Sequence, residues 1–332
     1  MQRRDLSSHG PSVSALGLGC MGMSDLYGKA PDRRESIATI HAALDAGIDL
    51  LDTGDFYGMG HNEMLLGEAL AGVPRERYKL SVKFGAQRGP DGAWLGYDAR
   101  PQAVKTAVAY SLKRLRTDYL DIYRPARLDP NVPIEDTMGA IAELIEAGYV
   151  RQAGLSEVGA ETIRRAHAVT PVADLQIEYS LISRGIEDAI LPACRELGIG
   201  ITAYGVLARG LISGHWTKNR DTDARDFRQH SPRFQGENLE HNLALVEKLR
   251  AIAEDKGVSV AQIAIAWVLA RGADIVPLVG ARSRSRLQES LAALDVHLGA
   301  DELAAIESAV PRDAAAGERY AKPQMATLDS EK

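Results

Sequence analysis

The chain has 332 residues, 45% of them hydrophobic and 25% charged, enough for one large α/β barrel or two ordinary domains. Its formal net charge is −6 with no long run of Lys or Arg, which argues against nucleic acid or an anionic membrane as the main partner. Cys20 and Cys194 are its only cysteines; one disulfide stays open on paper, but such sparse usage fits a reducing compartment better.

The N-terminus, MQRRDLSSHGPS, carries charge with no apolar run behind it, so no secretory signal is expected. Apolar stretches such as Val260 to Ala270 are too short to span a bilayer, and a cytoplasmic protein is the default. The first predicted strand, Ala15–Gly19, runs into Gly17-Leu-Gly19-Cys-Met-Gly22, which matches the dinucleotide fingerprint G-x-G-x-x-G. That fingerprint needs a helix opening at once, so that its first N–H groups meet the pyrophosphate. Here the next helix is expected only near Asp32, and the glycines are read instead as room for a loop to approach a ligand.

Further strands are predicted at Ile48–Asp52, Lys79–Lys83, Tyr119–Tyr123, Arg151–Gly154, Asp174–Ile177, Gly200–Ala203 and Ile275–Val279. Helical spacing lies between them, clearest over Pro101–Leu115 and Ile134–Ala147, each opened by a proline near the first turn. DAGIDLLDT and EAGYVRQAG read as helix ends, closed by glycine, that feed directly into strands. Eight β-then-α units leave the doubly wound sheet and the closed barrel, and their number favours a (β/α)₈ TIM barrel spanning residues 1–332 as one domain. Two segments break the pattern. Residues 210–236 form a long polar loop carrying Trp216, Phe227 and Phe234, for which a functional lid and disorder are both open readings. The tail 310–332 has little periodicity, the pattern of a mobile segment.

The strongest chemical signal runs off the second strand as Asp49-Leu-Leu-Asp52-Thr-Gly-Asp-Phe-Tyr57. Lys83 ends the apolar third strand. A barrel-strand lysine is expensive to bury without a carboxylate, and Asp52 is expected at the same level on the neighbouring strand.

From about Leu16 to Leu294 the chain resembles the aldo-keto reductase family, on the ordered set GLGCMGMS, DTGDFYG, Lys83, GLSE, QIEYS, AYGVLARGL and VGARSRSRLQES. The resemblance implies that Asp52, Tyr57 and Lys83 are three members of a catalytic tetrad, with NADP(H) lying across the barrel mouth. Tyrosine has an ordinary pKa of roughly 10, and a neighbouring protonated lysine is expected to lower it by about 1–3 units. Tyr57 would then give a proton to a carbonyl oxygen as hydride reaches its carbon, and the reverse reaction would oxidise an alcohol.

The resemblance also implies cofactor contacts from Gly22, Met23 and Asp52, with Ser156 and Gln176 holding the nicotinamide carboxamide. Glu157 stands where the family commonly has asparagine. Tyr204 would stack on the nicotinamide, and Gly205 to Leu211, including Leu207 and Gly210, would lie along the pyrophosphate. After the eighth strand, Gly280, Arg282, Arg286, Gln288 and Glu289 surround a helix start, where a phosphate is physically reasonable. The two arginines would take the 2′-phosphate of NADP, and Glu289 would meet the adenine amine.

One departure concerns the tetrad histidine, expected in a pattern like H-R-x-D-P. Here the chain reads Ala126-Arg127-Leu128-Asp129-Pro130, so the histidine is replaced by alanine. A bound water is the expected substitute donor, with Arg127 the weaker choice because Asp129 is its expected partner. Trp94, Tyr97, Trp216 and Tyr320 are expected in the pocket wall with Ala126 and Arg127, and sugar, steroid, pyridoxal and xenobiotic carbonyls all remain open. Self-association also stays open, and no cluster of metal-ligand spacing is present. Two rival readings are an NAD-preferring dehydrogenase and, since family members include cofactor-binding channel β subunits, a redox-sensing binding protein with little turnover.

Overall fold

Eight parallel strands close on themselves in the computed structural model, which describes residues 1–332 apart from 9, 25, 221, 222, 224 and 225. The strands are β1 (Gly17–Gly19), β2 (Leu50–Gly54), β3 (Lys79–Phe84), β4 (Leu120–Pro125), β5 (Val150–Ser156), β6 (Val172–Glu178), β7 (Gly200–Tyr204) and β8 (Ile275–Gly280). Each pairs with its neighbours in sequence, and β8 closes onto β1 with Leu278 beside Gly17. The expected barrel is the observed one. Most strands run one or two residues past their predicted C-terminal ends, to Gly54, Phe84, Pro125, Ser156, Glu178, Tyr204 and Gly280. The apolar run stops there, but the backbone ladder does not.

The helices pack outside. Pro101–Leu115 carries its proline in the first turn, and Ile134–Glu146 ends with Ala147 as its cap. The first helix begins at Arg33, where the Asp32 side chain accepts from the Arg34 N–H at 2.8 Å. Met21–Met23 is one 3₁₀ turn, so no helix follows the glycine motif directly, in keeping with the rejection of a dinucleotide fingerprint.

Two hairpins were not anticipated. Arg3–Asp5 pairs with Ser12–Ser14 and seals the floor of the barrel. Leu6 and Val13 join Leu50, Ile122, Val276 and Leu278 in a small separate core. A Cβ on Gly200 would lie 1.9 Å from the Leu6 carbonyl oxygen, so only glycine lets the plug approach β7. The second hairpin, Ala86–Arg88 with Trp94–Tyr97, rises from the loop after β3. Both sets of strands are too short to stand out as alternating runs.

The segment 210–236 splits into 3₁₀ turns at Phe227–His230 and Pro232–Phe234, while its residues 221, 222, 224 and 225 lie outside the described ones. Trp216 and Phe234 are both buried, edge to face at 4.7 Å. The tail is fastened rather than loose: Asn242 and Ala316 exchange two hydrogen bonds, and Asp329 accepts from the Gly159 N–H at 2.9 Å. Polar contacts to backbone and to side chains such as Glu157 hold it, and such contacts leave no hydrophobic period to read. Cys20 and Cys194 are buried free thiols, not a disulfide. Among the described residues no helix is long and apolar enough to cross a membrane.

Candidate active site

Side chains alternate along a strand, so Leu50 and Asp52, Ser81 and Lys83, Ile122 and Arg124, and Asp174 and Gln176 turn the same way in pairs. Leu50 and Ile122 belong to the apolar floor, while Asp52, Ser81, Lys83, Arg124, Asp174 and Gln176 form a polar layer below the mouth. Asp52 Oδ1 accepts from Lys83 Nζ at 2.5 Å, and Oδ2 accepts from Ser81 Oγ at 2.9 Å and Gln176 Nε2 at 2.7 Å. The register sets Asp52 beside Ser81 and Lys83 beside Gly54. The pair is therefore one pleat apart rather than level, and the long lysine stem spans the difference.

Arg124 and Asp174 complete this layer, and sequence reading missed both. The carboxylate meets Arg124 Nη2 with both oxygens at 2.9 Å and also accepts from Thr202 Oγ1. Neither side chain is exposed at all, and Arg124 Nη1 comes within 3.9 Å of Asp52 Oδ2. A Cβ on Gly154 would sit 2.8 Å from Arg124 Nε and 2.7 Å from Asp174 Oδ1, so the glycine makes room for the pair. Removing one partner from such a buried pair typically costs about 3–5 kcal/mol. The available signal was the period of two, which points Arg124 inward after Ile122.

Tyr57 lies in the turn that leaves β2, its N–H bonded to the Gly54 carbonyl at 3.1 Å. Its ring packs edge to face on Phe56 at 4.7 Å, and Lys83 Nζ stands 5.1 Å from the ring centre. The hydroxyl bonds to none of the described residues, while the side chain as a whole is 7% exposed. Sequence reading expected the lysine to depress this phenol. Instead burial, and then the Asp52 carboxylate, push it well above its ordinary value, while Arg127 is the cation that opposes them. Burial also lowers Lys83, against the pull of Asp52. The lysine faces Asp52, and the phenol keeps its proton firmly.

Trp94 is half exposed at the hairpin tip and stacks edge to face on Phe56, 6.2 Å away, the same ring that Tyr57 packs on. Trp216 does not join it. Its ring packs on Phe234 and under the guanidinium groups of Arg220 and Arg228, at 4.8 and 4.6 Å. Ala126 is buried at the end of β4, with its N–H on the Phe84 carbonyl at 2.8 Å. Asp129 is not Arg127's partner: it accepts from the Ala99 and Asn131 N–H groups at 3.0 and 2.9 Å.

Ser156 ends β5 with a buried hydroxyl that has no hydrogen-bond partner among the described residues. Glu157 follows it at φ 53°, left-handed for a non-glycine residue. Its side chain accepts from Tyr204 Oη at 2.7 Å, from the Glu178 N–H at 3.0 Å and from Ser330 Oγ at 2.8 Å, and it pairs with Arg319 at 2.8 Å. Burial opposes that charge, yet Arg319 holds the carboxyl well below the usual carboxylate range. Tyr204 Oη also meets Tyr320 Oη at 2.9 Å, so the tail borders the mouth from above. Gly205, Ala208, Arg209 and Gly210 all have positive φ in the turn after β7, and Arg209 points inward to Glu178 at 3.1 Å.

At the far side, Arg282 donates to the Tyr27 carbonyl at 2.9 Å and to that of Lys29, with Gly22 below its stem. Arg286 stands in the first turn of the helix Arg284–Leu291, capped by Ser283, and pairs with Glu289 at 2.9 Å. Glu289 also meets His215 at 2.9 Å, while Gln288 is exposed. Arg220 and Arg228, absent from the expected set, add their charge here: Arg228 acts on both Arg282 and Arg220, and Arg286 also lowers Arg220. Among the described residues, Asp226 and Glu289 are carboxylates that act on these four guanidinium groups. Met23 is buried in the core, Gly280 ends β8, and Leu207 caps the 3₁₀ turn that follows β7. Among the described residues no group of three or more His, Cys, Asp or Glu could hold a metal ion.

A model of the aldo/keto reductase family matches residues 15–311. The chain is 41% identical over 317 residues to Probable aldo-keto reductase 1 of Glycine max, covering 95% of this chain and 90% of that protein. Among solved structures it is similar to the glycerol dehydrogenase AKR11B4 from Gluconobacter oxydans, at TM-score 0.84, 30% identity, and 92% and 94% coverage of the two chains. It is likewise similar to the aldo-keto reductase AKR11C1 from Bacillus halodurans, solved in its holo form, at TM-score 0.77, 27% identity, and 93% and 96% coverage. The chain belongs to the aldo/keto reductase family of oxidoreductases.

Proposed function

We propose that the protein is an NADP(H)-dependent reductase of aldehydes or ketones, reversible with alcohols, in which Tyr57 is the proton donor. The observation that carries this reading is the Tyr57 hydroxyl, free of the described residues, beside a lysine whose ammonium is 2.5 Å from Asp52. Two features support a fit to the dinucleotide. Ser156 keeps a buried hydroxyl without a partner, as a carboxamide-holding residue would before its ligand. The cluster of mutually repelling guanidinium groups of Arg220, Arg228, Arg282 and Arg286 suits a phosphate dianion.

When bound, a reduced nicotinamide would supply hydride to the carbonyl carbon. The chain's own residues would do the rest. Tyr57 hydrogen-bonds the carbonyl oxygen and gives up its proton only as that oxygen becomes an alkoxide, which suits a phenol held above its ordinary pKa. Lys83, fixed by Asp52, lies against the ring where negative charge then develops. Asp52 in turn is held by Ser81 and Gln176, which keeps the lysine aimed. A redox-sensing protein with little turnover would have no need of this free hydroxyl. The test is a panel of aldehydes and ketones followed by loss of NADPH absorbance: turnover of at least one class is expected, and none across the panel rejects the enzymatic reading.

A further inference from the structure

The side chain of residue 126 offers no donor, yet the next residue is an arginine without a direct ion pair among the described residues. Arg127 Nη1 donates to the Ala126 carbonyl at 2.6 Å, so the guanidinium folds back across the alanine. Its other terminal nitrogen makes only a long 3.5 Å contact to Tyr320 Oη. Among the described residues, no carboxylate lies within ion-pair distance of it. The neighbouring guanidiniums differ: Arg124 has Asp174, Arg209 has Glu178, and Arg319 has Glu157. Asp129, the carboxylate two residues along, is spent on backbone N–H groups. Tyr57, Tyr97, Tyr204 and Tyr320 all lie within electrostatic reach of Arg127, and so does Glu157, a carboxylate whose direct ion pair goes to Arg319.

A guanidinium carries five N–H donors in a rigid fork, and two contacts leave most of them free. It stays charged at every working pH, so its hydrogen bond to an oxygen that gains negative charge is of the charge-assisted kind. We propose that Arg127 donates the second hydrogen bond to the substrate carbonyl oxygen beside Tyr57, the position for which residue 126 has no side chain to offer. Arg127 transfers no proton. The proton comes from Tyr57, and the guanidinium stabilises the alkoxide until it arrives. The small Ala126 leaves the arginine stem room to fold over it. This assignment rests on the carbonyl-reductase reading above.

The test uses the full-length protein with Arg127→Met, Arg127→Ala and, as a control, Tyr57→Phe. NADPH affinity, read by fluorescence, should be unchanged in all three. With neutral aldehydes Arg127→Met should lose about 10²–10³ in kcat, the usual loss for one oxyanion donor, with KM little changed. Added guanidinium ion should restore Arg127→Ala in a saturable way, which a merely structural role would not permit. Two results overturn the proposal: full kcat in Arg127→Met, or a rise in KM confined to carboxylate-bearing substrates, which would make Arg127 a carboxylate anchor. If Arg127→Met is impaired while Tyr57→Phe turns over normally, the tyrosine reading fails instead.

Discussion

Arg319, from the C-terminal tail, reaches Glu157 at the top of β5 with Nη2 2.8 Å from Oε2, and the same carboxylate holds the Tyr204 hydroxyl at 2.7 Å. The tail is thus tied to the side chain that borders the expected nicotinamide site. Glu157 pays for this with a left-handed backbone, a conformation worth of order 1–3 kcal/mol of strain unless its surroundings impose it. Its carbonyl also accepts from the Ser330 N–H at 3.3 Å, so tail and strand fix one another.

Arg319→Ala should therefore loosen residues 312–332 and expose them to proteolysis, with the barrel strands intact. Because the folded carboxyl of Glu157 is depressed, the latch is fully present above the ordinary carboxylate pKa of about 4.3 and is lost as pH falls well below it. Hydrogen exchange of the tail across a pH series checks both points. Loosening of the wild-type tail already at pH 6–7 would contradict the latch.

Replacing Arg282 and Arg286 together by alanine should weaken NADPH far more than NADH. A charge-assisted contact is typically worth about 1.5–3 kcal/mol, and about 1.4 kcal/mol is tenfold in affinity, so the preference should change by at least tenfold. Fluorescence titration with both cofactors measures it. Equal losses would mean that the arginines serve only the Tyr27 and Lys29 carbonyls and Glu289.

Tyr57→Phe keeps the ring on Phe56 and removes only the hydroxyl. NADPH should bind nearly as before while turnover drops by about 10²–10⁴-fold, the range for a lost general acid. Near-normal turnover would reduce the tyrosine to a packing residue.

Asp55 sits two residues before Tyr57, its Oδ1 enclosed without a partner among the described residues, and burial together with Glu63 pushes it up to about 7. A folded pKa above the ordinary value means that this group favours folding at low pH. Its contribution is lost as pH climbs from about 4 to about 7. Asp55→Asn should flatten the urea midpoint across that window and raise stability at pH 8 by at least about 1.4 kcal/mol, the worth of one pKa unit. A less stable variant at pH 8 would reverse the assignment.

Much of this protein was legible in its residue order. Apolar runs of strand length alternating with helical periods define the barrel, because a parallel strand buried on both faces must be apolar along its length. Asp52, Tyr57 and Lys83 were singled out because strand ends at a barrel mouth carry chemistry, and the basic run at Arg282 to Arg286 because a helix start attracts anions. Pairings between distant segments were not legible. Arg124 and Asp174 lie on separate strands, Arg319 and Glu157 on a tail and a strand, and Arg220 reaches Arg282 only through the folded loop. Local sequence carries the period of each element, but the partner of a buried charge depends on strand register and tilt. Asp129 was assigned to Arg127 on the family's H-R-x-D-P pattern, whereas folding turned it to the backbone N–H groups of Ala99 and Asn131 and folded the arginine back onto the Ala126 carbonyl.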